Sequence, residues 1–153
     1  MKKSLILILV VVFVFLILIY FNGFYSKKEI HKVCLVKSGE CFNVQIADDE
    51  AEREKGLMFI EQIDDDYGML FVFDKSGKYN FWMKDTLIPL DIIWIDNNKE
   101  IVYVSEDTLP CIESLLGECQ VYSPNFDSLY VLEIKGGMAD KLGIYQGDKV
   151  EMR

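Results

Sequence analysis

The chain has 153 residues, of which 51% are hydrophobic and 13% aromatic, and its formal net charge at pH 7 is −9. This length has room for one domain and excludes a two-domain enzyme. The apolar content allows a core without a structural metal and excludes a disordered chain. Once Lys2 and Lys3 are set aside, 14 basic side chains remain against 25 acidic ones. Such a surface repels phosphate backbones, so nucleic acid is not expected as a partner.

The N-terminal segment is strongly hydrophobic. Residues 5–21, LILILVVVFVFLILIYF, are seventeen consecutive apolar or aromatic side chains, and residues 22–25 extend the run. This is just long enough to span a bilayer. A cleaved signal peptide is the alternative, but its apolar region is shorter and ends in small residues. The sequence therefore predicts an uncleaved single-pass transmembrane helix within residues 1–26, which contacts the lipid bilayer through residues 5–25.

Charges on the two sides of this segment do not decide its orientation. Lys2 and Lys3 precede it, whereas Lys27 and Lys28 follow it, so the counts are almost balanced. The four cysteines are more informative, because all of them lie after the segment, and an even number of closely spaced cysteines is typical of disulfides in exported domains. We therefore expect a protein of the cell membrane whose domain at residues 27–153 lies outside the cytoplasm.

The cysteines form two close pairs, Cys34 with Cys41 and Cys111 with Cys119. A two-residue turn at Lys37-Ser38 would set the first two sulfurs opposite each other, and the second pair would close a short loop. Zinc is the alternative, but tetrahedral zinc sites usually use Cys-x2-4-Cys spacing, and the gaps here are six and seven residues. Disulfides are predicted, and no metal or cofactor is expected.

The rest of the chain favours short strands. Alternating or continuous apolar runs predict strands at residues 32–36, 41–47, 68–73, 79–84, 90–95, 100–105, 128–134 and 149–152. A helix is predicted at Glu50 to Lys55, capped by Asp48 and Asp49 and ended by Gly56, and a second short helix begins at Gly137. Asn97-Asn98 predicts a turn. Strands at these intervals with two short helices predict a mainly β, antiparallel sandwich or barrel.

Four ordered blocks carry a family resemblance. They are Arg53-Glu-Lys-Gly56-Leu-Met58; Tyr67-Gly-Met-Leu-Phe-Val-Phe73; Phe81-Trp-Met-Lys-Asp-Thr86 leading into Ile88-Pro-Leu-Asp91-Ile-Ile-Trp-Ile-Asp96; and Tyr130-Val-Leu-Glu133-Ile-Lys-Gly-Gly137 with Gly143-Ile and Gly147-Asp148-Lys-Val150. Over about a hundred residues the chain resembles the DUF192 family of small, often exported or membrane-attached proteins. The resemblance implies a jelly-roll-like β fold and leaves activity, substrate and cofactor open. Cys111 and Cys119 look like the cysteine pair of some members.

Two positions depart from the usual pattern of the family. Phe59 stands where an arginine usually follows the Gly-Leu-Met turn, and Asp85 stands where an asparagine usually precedes the threonine of the Trp-Met block. If the family's site depends on that arginine or that amide, the ligand preference of this chain differs.

The segment from Trp82 to Thr86 is the most suggestive part of the chain for chemistry. In an alternating strand, Phe81 and Met83 face one side and Trp82 and Lys84 the other. We expect polar groups at the end of this strand to converge on a shallow pocket that suits a small polar or carbohydrate-like ligand. The ligand-binding candidates are Arg53, Trp82, Lys84, Asp85, Thr86, Asp91 and Glu133.

A purely structural explanation of the same residues stays open. Asp91 would cap a turn, Arg53 would pair with a carboxylate, and Glu133 would point into solvent from its strand. The function favoured by the sequence is a small-ligand-binding or partner-binding accessory module. One alternative is a small hydrolase acting on a glycan or similar envelope substrate, with Asp91 and either Glu133 or Asp85 as general acid and base.

Other functions have weaker support. His31 is the only histidine and no Gly-x-Ser-x-Gly elbow exists, which argues against a nucleophilic triad and against a cupin-like metal site. Met58, Met69 and Met83 permit a copper(I) interpretation, although methionines in apolar strands usually fill core gaps. The end of the chain, residues 136–150, resembles a PDZ-like corner and keeps peptide binding open. A structural partner of an envelope protein is a further alternative.

Overall fold

The computed structural model describes residues 12–13, 31–112, 115 and 117–153. The predicted transmembrane helix within residues 1–26 lies outside the described residues, apart from Val12 and Phe13. Among the described residues, no helix has the length and apolar character needed to cross a bilayer.

The described ranges contain nine strands and two short helices. In chain order they are β1 (His31–Leu35), β2 (Cys41–Ala47), α1 (Glu50–Lys55), β3 (Tyr67–Gly77), β4 (Phe81–Trp82), β5 (Leu90–Ile95), β6 (Ile101–Thr108), β7 (Val121–Tyr122), β8 (Ser128–Lys135), α2 (Met138–Leu142) and β9 (Val150–Met152).

Seven strands form one sheet in the order β6-β5-β8-β3-β2-β1-β9, and β4 pairs with β7 in a small second sheet. The large sheet curls until its two outer strands approach each other. The Ile101 N–H donates to the Asp148 carbonyl oxygen at 2.8 Å, and Glu100 bridges to Lys149. The fold is therefore mainly β, a curled half-barrel with two short helices, rather than two stacked sheets.

The prediction of an all-antiparallel arrangement is wrong at one place, because β2 and β3 are parallel. Residues 48–66 form the connection between them and contain α1. A parallel pair needs a crossover of a dozen or more residues, and this segment supplies it. The crossover brings the end of α1 to one face of the sheet, where it forms part of the candidate site.

The capping prediction for α1 is confirmed for Asp49, which is the N-cap residue. The Asp49 side chain accepts from the Glu52 N–H at 2.8 Å, and the Glu52 carboxylate accepts from the Asp49 N–H at 3.4 Å. These two bonds form a capping box, which satisfies donors that the first turn of a helix leaves free. Gly56 ends the helix with a φ of 47°.

The hairpin of β1 and β2 has the predicted register, with Cys34 opposite Cys41 and a disulfide between them. Its loop is longer than the predicted two-residue turn. The Gly39 N–H donates to the Leu35 carbonyl at 2.8 Å, and Gly39 has a φ of 77°, a conformation that glycine adopts at little cost. The observed loop is two residues longer than the predicted one. Lengthening a hairpin loop by two residues leaves the strand pairing unchanged, so the predicted register is kept.

The predicted strand at residues 79–84 is mostly wrong, because only Phe81 and Trp82 belong to a strand. The carbonyl of Tyr79 is occupied by the indole N–H of the buried Trp94, at 2.9 Å. Asp85 has a φ of 50°, which is incompatible with a continuing strand. The contact with Trp94 comes from β5, an element that the local sequence around Tyr79 does not contain.

Each face of the large sheet packs on its own apolar cluster. Along β8, Leu132 and Ile134 point into a cluster that includes residues of α2, whereas Val131 packs with Met69, Phe71 and Trp94 on the opposite face. Side chains alternate along a strand, so Glu133 shares the face of Val131. A carboxyl group thus lies at the margin of the second apolar cluster.

Candidate functional site

Glu133 is the most unusual polar residue of the described part of the chain. Its side chain is buried, with 5% exposure, and its Oε2 atom makes no hydrogen bond to any described residue. Loss of hydration raises the pKa of this carboxyl to about 8, because burial penalises the charged form. Glu133 therefore carries a proton at neutral pH and offers a hydrogen-bond donor.

The surroundings of Glu133 explain its burial. Its cross-strand neighbours are Met69 on β3 and Ile92 on β5, both apolar. Above it lies Gly56, where an added Cβ would be 3.8 Å from Oε2 and 3.3 Å from the Phe71 ring. The absence of a side chain at Gly56 keeps the space above the carboxyl open.

A small cleft of about 30 Å³ leads to this carboxyl. One wall is the end of α1 and the residues after it, and the other is β4 with the residues that follow. We call it the Glu133 cleft; its lining is Arg53, Glu54, Lys55, Gly56, Leu57, Met58, Phe71, Phe81, Trp82, Lys84, Thr86 and Glu133. Its volume holds about two water-sized groups.

Arg53 is fixed on the first wall. Its Nη1 donates to the Asp48 carbonyl at 2.5 Å and to the Val72 carbonyl at 2.9 Å, and its guanidinium lies 5.3 Å from the centre of the Phe73 ring. These contacts orient a permanent positive charge beside the cleft.

Trp82 and Lys84 stand on the second wall, although Lys84 lies beyond the end of β4. The Lys84 Nζ lies 5.3 Å from the centre of the Trp82 ring, and 43% of the Trp82 side chain is exposed. Phe81 points inward, with its ring edge-on to Phe71 at 4.9 Å. The mouth of the cleft therefore combines an accessible aromatic face with a cation.

Asp85 does not line the cleft, although its neighbours Lys84 and Thr86 do. Its backbone instead joins two loops. The Asp85 N–H donates to the Cys111 carbonyl at 2.7 Å, and the Cys111 N–H donates to the Met83 carbonyl at 3.2 Å. Cys111 forms the predicted disulfide with Cys119, so this covalent link is attached directly to the second wall.

The structure does not bring Asp91 to the other candidates. Asp91 pairs across the sheet with Ile134, whereas its neighbour Ile92 pairs with Glu133, so the two carboxyl groups lie on opposite faces. Asp91 is fully buried. Its carboxylate accepts the backbone N–H groups of Asp107, Gly137 and Ala139 at 2.7, 3.1 and 2.6 Å.

These contacts match the structural explanation for Asp91, which acts as the cap of a turn and of α2. The corresponding explanation for Glu133 fails, because this side chain is buried. Of the seven candidates, five line the cleft: Arg53, Trp82, Lys84, Thr86 and Glu133. Gly56 and Phe71 were missed, since the sequence marks Gly56 only as a helix end and Phe71 only as part of a predicted strand.

Two of the three methionines considered for copper lie in the core, whereas Met58 is half-buried and lines the Glu133 cleft. Met69 and Met83 are buried in the apolar cluster on the Glu133 face. Within the described residues, one group of side chains has the spacing of a metal site, namely Asp48, Asp49 and Glu52. It lies at the start of α1, where Asp49 and Glu52 already form the capping box.

A second, larger cavity of about 1140 Å³ lies between the residues after α1 and the sheet. It shares Lys55, Gly56 and Leu57 with the Glu133 cleft. On its rim Asp65 pairs with Lys135 at 2.6 Å and with Lys141 at 3.0 Å, and these ammonium groups lower the pKa of Asp65 to about 2. The sequence does not predict this cavity, because a crossover between β2 and β3 was not expected there.

Comparison with known proteins identifies the domain. The sequence profile of DUF192, described as "Uncharacterized ACR", matches residues 33–152. No curated protein matches the chain.

Solved structures similar to the chain include a protein of unknown function from Novosphingobium aromaticivorans, with 33% identity, 83% of this chain and 88% of that chain covered, and a TM-score of 0.72. A second is a proposed transcription regulator from Sinorhizobium meliloti, with 31% identity, 80% and 91% covered, and a TM-score of 0.69.

Proposed function

The chain belongs to the DUF192 family, and from this premise we propose that it is a small-ligand-binding accessory module, anchored in the cell membrane by residues 1–26 with its β domain outside the cytoplasm. The ligand occupies the Glu133 cleft and is held by hydrogen bonds inside the cleft and by stacking at its mouth.

The unpartnered carboxyl of Glu133 carries this proposal. A buried polar atom without a hydrogen bond costs about 1–3 kcal/mol, and native proteins contain few such atoms. At Glu133 the cost is not offset by any described residue, yet the cleft gives a small molecule access to the carboxyl. A ligand that hydrogen-bonds Glu133 removes the penalty, which makes the carboxyl a strong recognition point.

The location outside the cytoplasm rests on two features. The seventeen-residue apolar run at residues 5–21 has the length of a membrane span. Both cysteine pairs are disulfides, which persist in oxidising compartments and are rare in the cytosol. An accessory module in this position would meet ligands from the cell exterior.

The hydrolase alternative loses its principal acid–base pair, because Asp91 and Glu133 lie on opposite faces of the sheet. A role in transcription, the description of the Sinorhizobium meliloti structure, is disfavoured for this chain by its net charge of −9.

The test is a thermal-shift screen of the full-length chain in detergent, without reductant, against sugars, amino acids, small acids and amines. A ligand of the native state raises the melting temperature with concentration. We expect one chemical class to shift the wild type and not Glu133→Ala. Glu106→Ala, an exposed glutamate of β6 outside the cleft, is the matched control and retains the shift. If no class shifts the wild type, or if Glu133→Ala shifts equally, the ligand-binding proposal is wrong.

A further inference from the structure

The Glu133 cleft differs in charge from the rest of the molecule. The chain carries a net charge of −9, yet the cleft is lined by three basic residues, Arg53, Lys55 and Lys84, against Glu54 and the protonated Glu133. A positive site in an acidic protein attracts anions locally and repels cations.

We propose that the Glu133 cleft binds the carboxylate of a flat, ring-bearing small molecule, with Glu133 donating a hydrogen bond to one carboxylate oxygen while Arg53 and Lys84 balance the negative charge. This inference rests on the proposed function and names the ligand class of the same site.

The dimensions of the cleft fit this group. Its volume of about 30 Å³ holds two water-sized groups, which is the size of the two oxygens of a carboxylate. The rest of the ligand remains at the mouth, where the exposed Trp82 ring offers a stacking surface. A larger anionic group, such as a phosphate with three terminal oxygens, exceeds the space beside Glu133.

The protonation state of Glu133 determines whether the cleft prefers an anionic or a cationic ligand. The charged residues that face the cleft are Arg53, Glu54 and Lys55 from the α1 side and Lys84 from the β4 side. The neighbours of Glu133 on the flanking strands, Met69 and Ile92, are uncharged. Burial dominates over these charges and keeps the carboxyl neutral, so that it donates to a ligand oxygen.

Binding of a carboxylate is therefore linked to this proton. An ionised Glu133 presents only acceptors and a negative charge, and it repels the ligand. Because the pKa of Glu133 is about 8, the affinity is near its maximum well below that pH as long as the ligand is ionised, and it falls about tenfold for each pH unit above 8.

The experiment measures binding to the full-length chain in detergent by calorimetry. The probes are benzoate, its neutral isostere benzamide, benzylamine and phenyl phosphate, at pH 6.5 and 9.5. We expect benzoate to bind the wild type at pH 6.5 at least tenfold more tightly than the other three. At pH 9.5 we expect benzoate affinity to be about 30-fold weaker, because only about one thirtieth of Glu133 is still protonated at that pH.

Three variants assign the effect to named residues. Glu133→Gln keeps a donor that does not titrate, so benzoate binds with the same affinity at both pH values. Lys84→Met weakens benzoate binding at least tenfold at pH 6.5, whereas Lys75→Met, an exposed lysine outside the cleft lining, leaves it unchanged.

Other outcomes overturn the inference in distinguishable ways. Tighter binding of benzylamine or benzamide, abolished by Glu133→Ala, contradicts the carboxylate ligand and leaves the proposed function intact. Tighter binding of phenyl phosphate contradicts the fit to two oxygens. Benzoate affinity equal at the two pH values in the wild type contradicts the role of the proton. If none of these probes binds and no class in the thermal-shift screen raises the melting temperature, both the inference and the proposed function are wrong.

Discussion

The Phe59 N–H donates to the carbonyl oxygen of Asp85 at 2.9 Å, and both residues have positive φ, 62° and 50°. These are the two positions at which the sequence departs from the usual pattern of the DUF192 family. Phe59 follows Met58 on one wall of the Glu133 cleft, and Asp85 lies between Lys84 and Thr86 on the other. The two departures therefore meet in a single contact that joins the walls.

Replacing Phe59 by asparagine should stabilise the protein. The left-handed conformation costs an ordinary L-residue roughly 1–2 kcal/mol, whereas asparagine adopts it readily. Phe59 is 65% exposed, so little burial is lost. We expect Phe59→Asn to raise the free energy of unfolding by about 0.5–1 kcal/mol in urea titrations. Phe126→Asn, a change at an exposed phenylalanine outside the left-handed region, should give no gain. Equal effects of the two substitutions would exclude backbone strain at Phe59.

The raised pKa of Glu133 predicts a pH dependence of stability. Between its ordinary value of 4.5 and the folded value of about 8, the folded state holds a proton that the unfolded state releases. The stabilisation is complete below pH 4.5 and is lost as the pH rises through 8, at about 1.4 kcal/mol per unit. Glu133→Gln removes this term, so the stability of the variant relative to wild type should increase from pH 5 to about pH 8 and level off above it. Denaturant unfolding at several pH values measures it, and a constant difference would mean that Glu133 is ionised at neutral pH.

The Asp91→Ala substitution should strongly lower the free energy of unfolding. The substitution leaves three backbone N–H groups without their acceptor, those of Asp107, Gly137 and Ala139. The Ala139 N–H is buried and the other two are half-buried. A lost bond at a buried donor costs about 1–3 kcal/mol, so we expect a total loss of roughly 3 kcal/mol or more. Asp127→Ala, at an exposed aspartate, should change the stability by less than about 0.5 kcal/mol. A melting temperature near that of the wild type in Asp91→Ala would refute the structural role.

The two disulfides should differ in their effect on the cleft. Both close short loops, with sequence separations of 7 and 8, and each should contribute about 2–3 kcal/mol to stability. The Cys111→Ser/Cys119→Ser variant should also accelerate hydrogen exchange at the Asp85 N–H, which donates to the Cys111 carbonyl. The Cys34→Ser/Cys41→Ser variant is the control, because its loop lies away from the cleft. Equal exchange rates at Asp85 in the two variants would show that the second disulfide does not order this wall.

The parts of the fold that the sequence predicts well are local. The capping box of Asp49 and Glu52 is encoded within four residues, and the pairing of Cys34 with Cys41 follows from one hairpin. The short strand at Phe81 was predicted too long, because the bond between the Tyr79 carbonyl and Trp94 joins residues that are fifteen positions apart. Such contacts depend on tertiary packing, which a propensity argument does not contain.

The candidate site illustrates the same limit. Alternation predicts that Trp82 and Lys84 share one side, and both line the cleft, although only Trp82 belongs to a strand. Alternation does not determine how β5 pairs with β8, because residues 96–127 separate these two strands along the chain. The register that sets Ile92 against Glu133, and so turns Asp91 to the other face, arises only when the two strands pair. A one-residue shift in that pairing would have put both carboxyl groups together.

The approach of β6 to β9 has a consequence for association between molecules. An unpaired edge strand is a template on which another chain can add a strand, and this is a common route to aggregation. Here the bond from Ile101 to Asp148 and the bond from the Val150 N–H to the Lys99 carbonyl occupy backbone groups of both outer strands at one end of the curl. Those groups are not available to a neighbouring copy. The curled sheet thereby limits sheet-to-sheet polymerisation between copies of this domain.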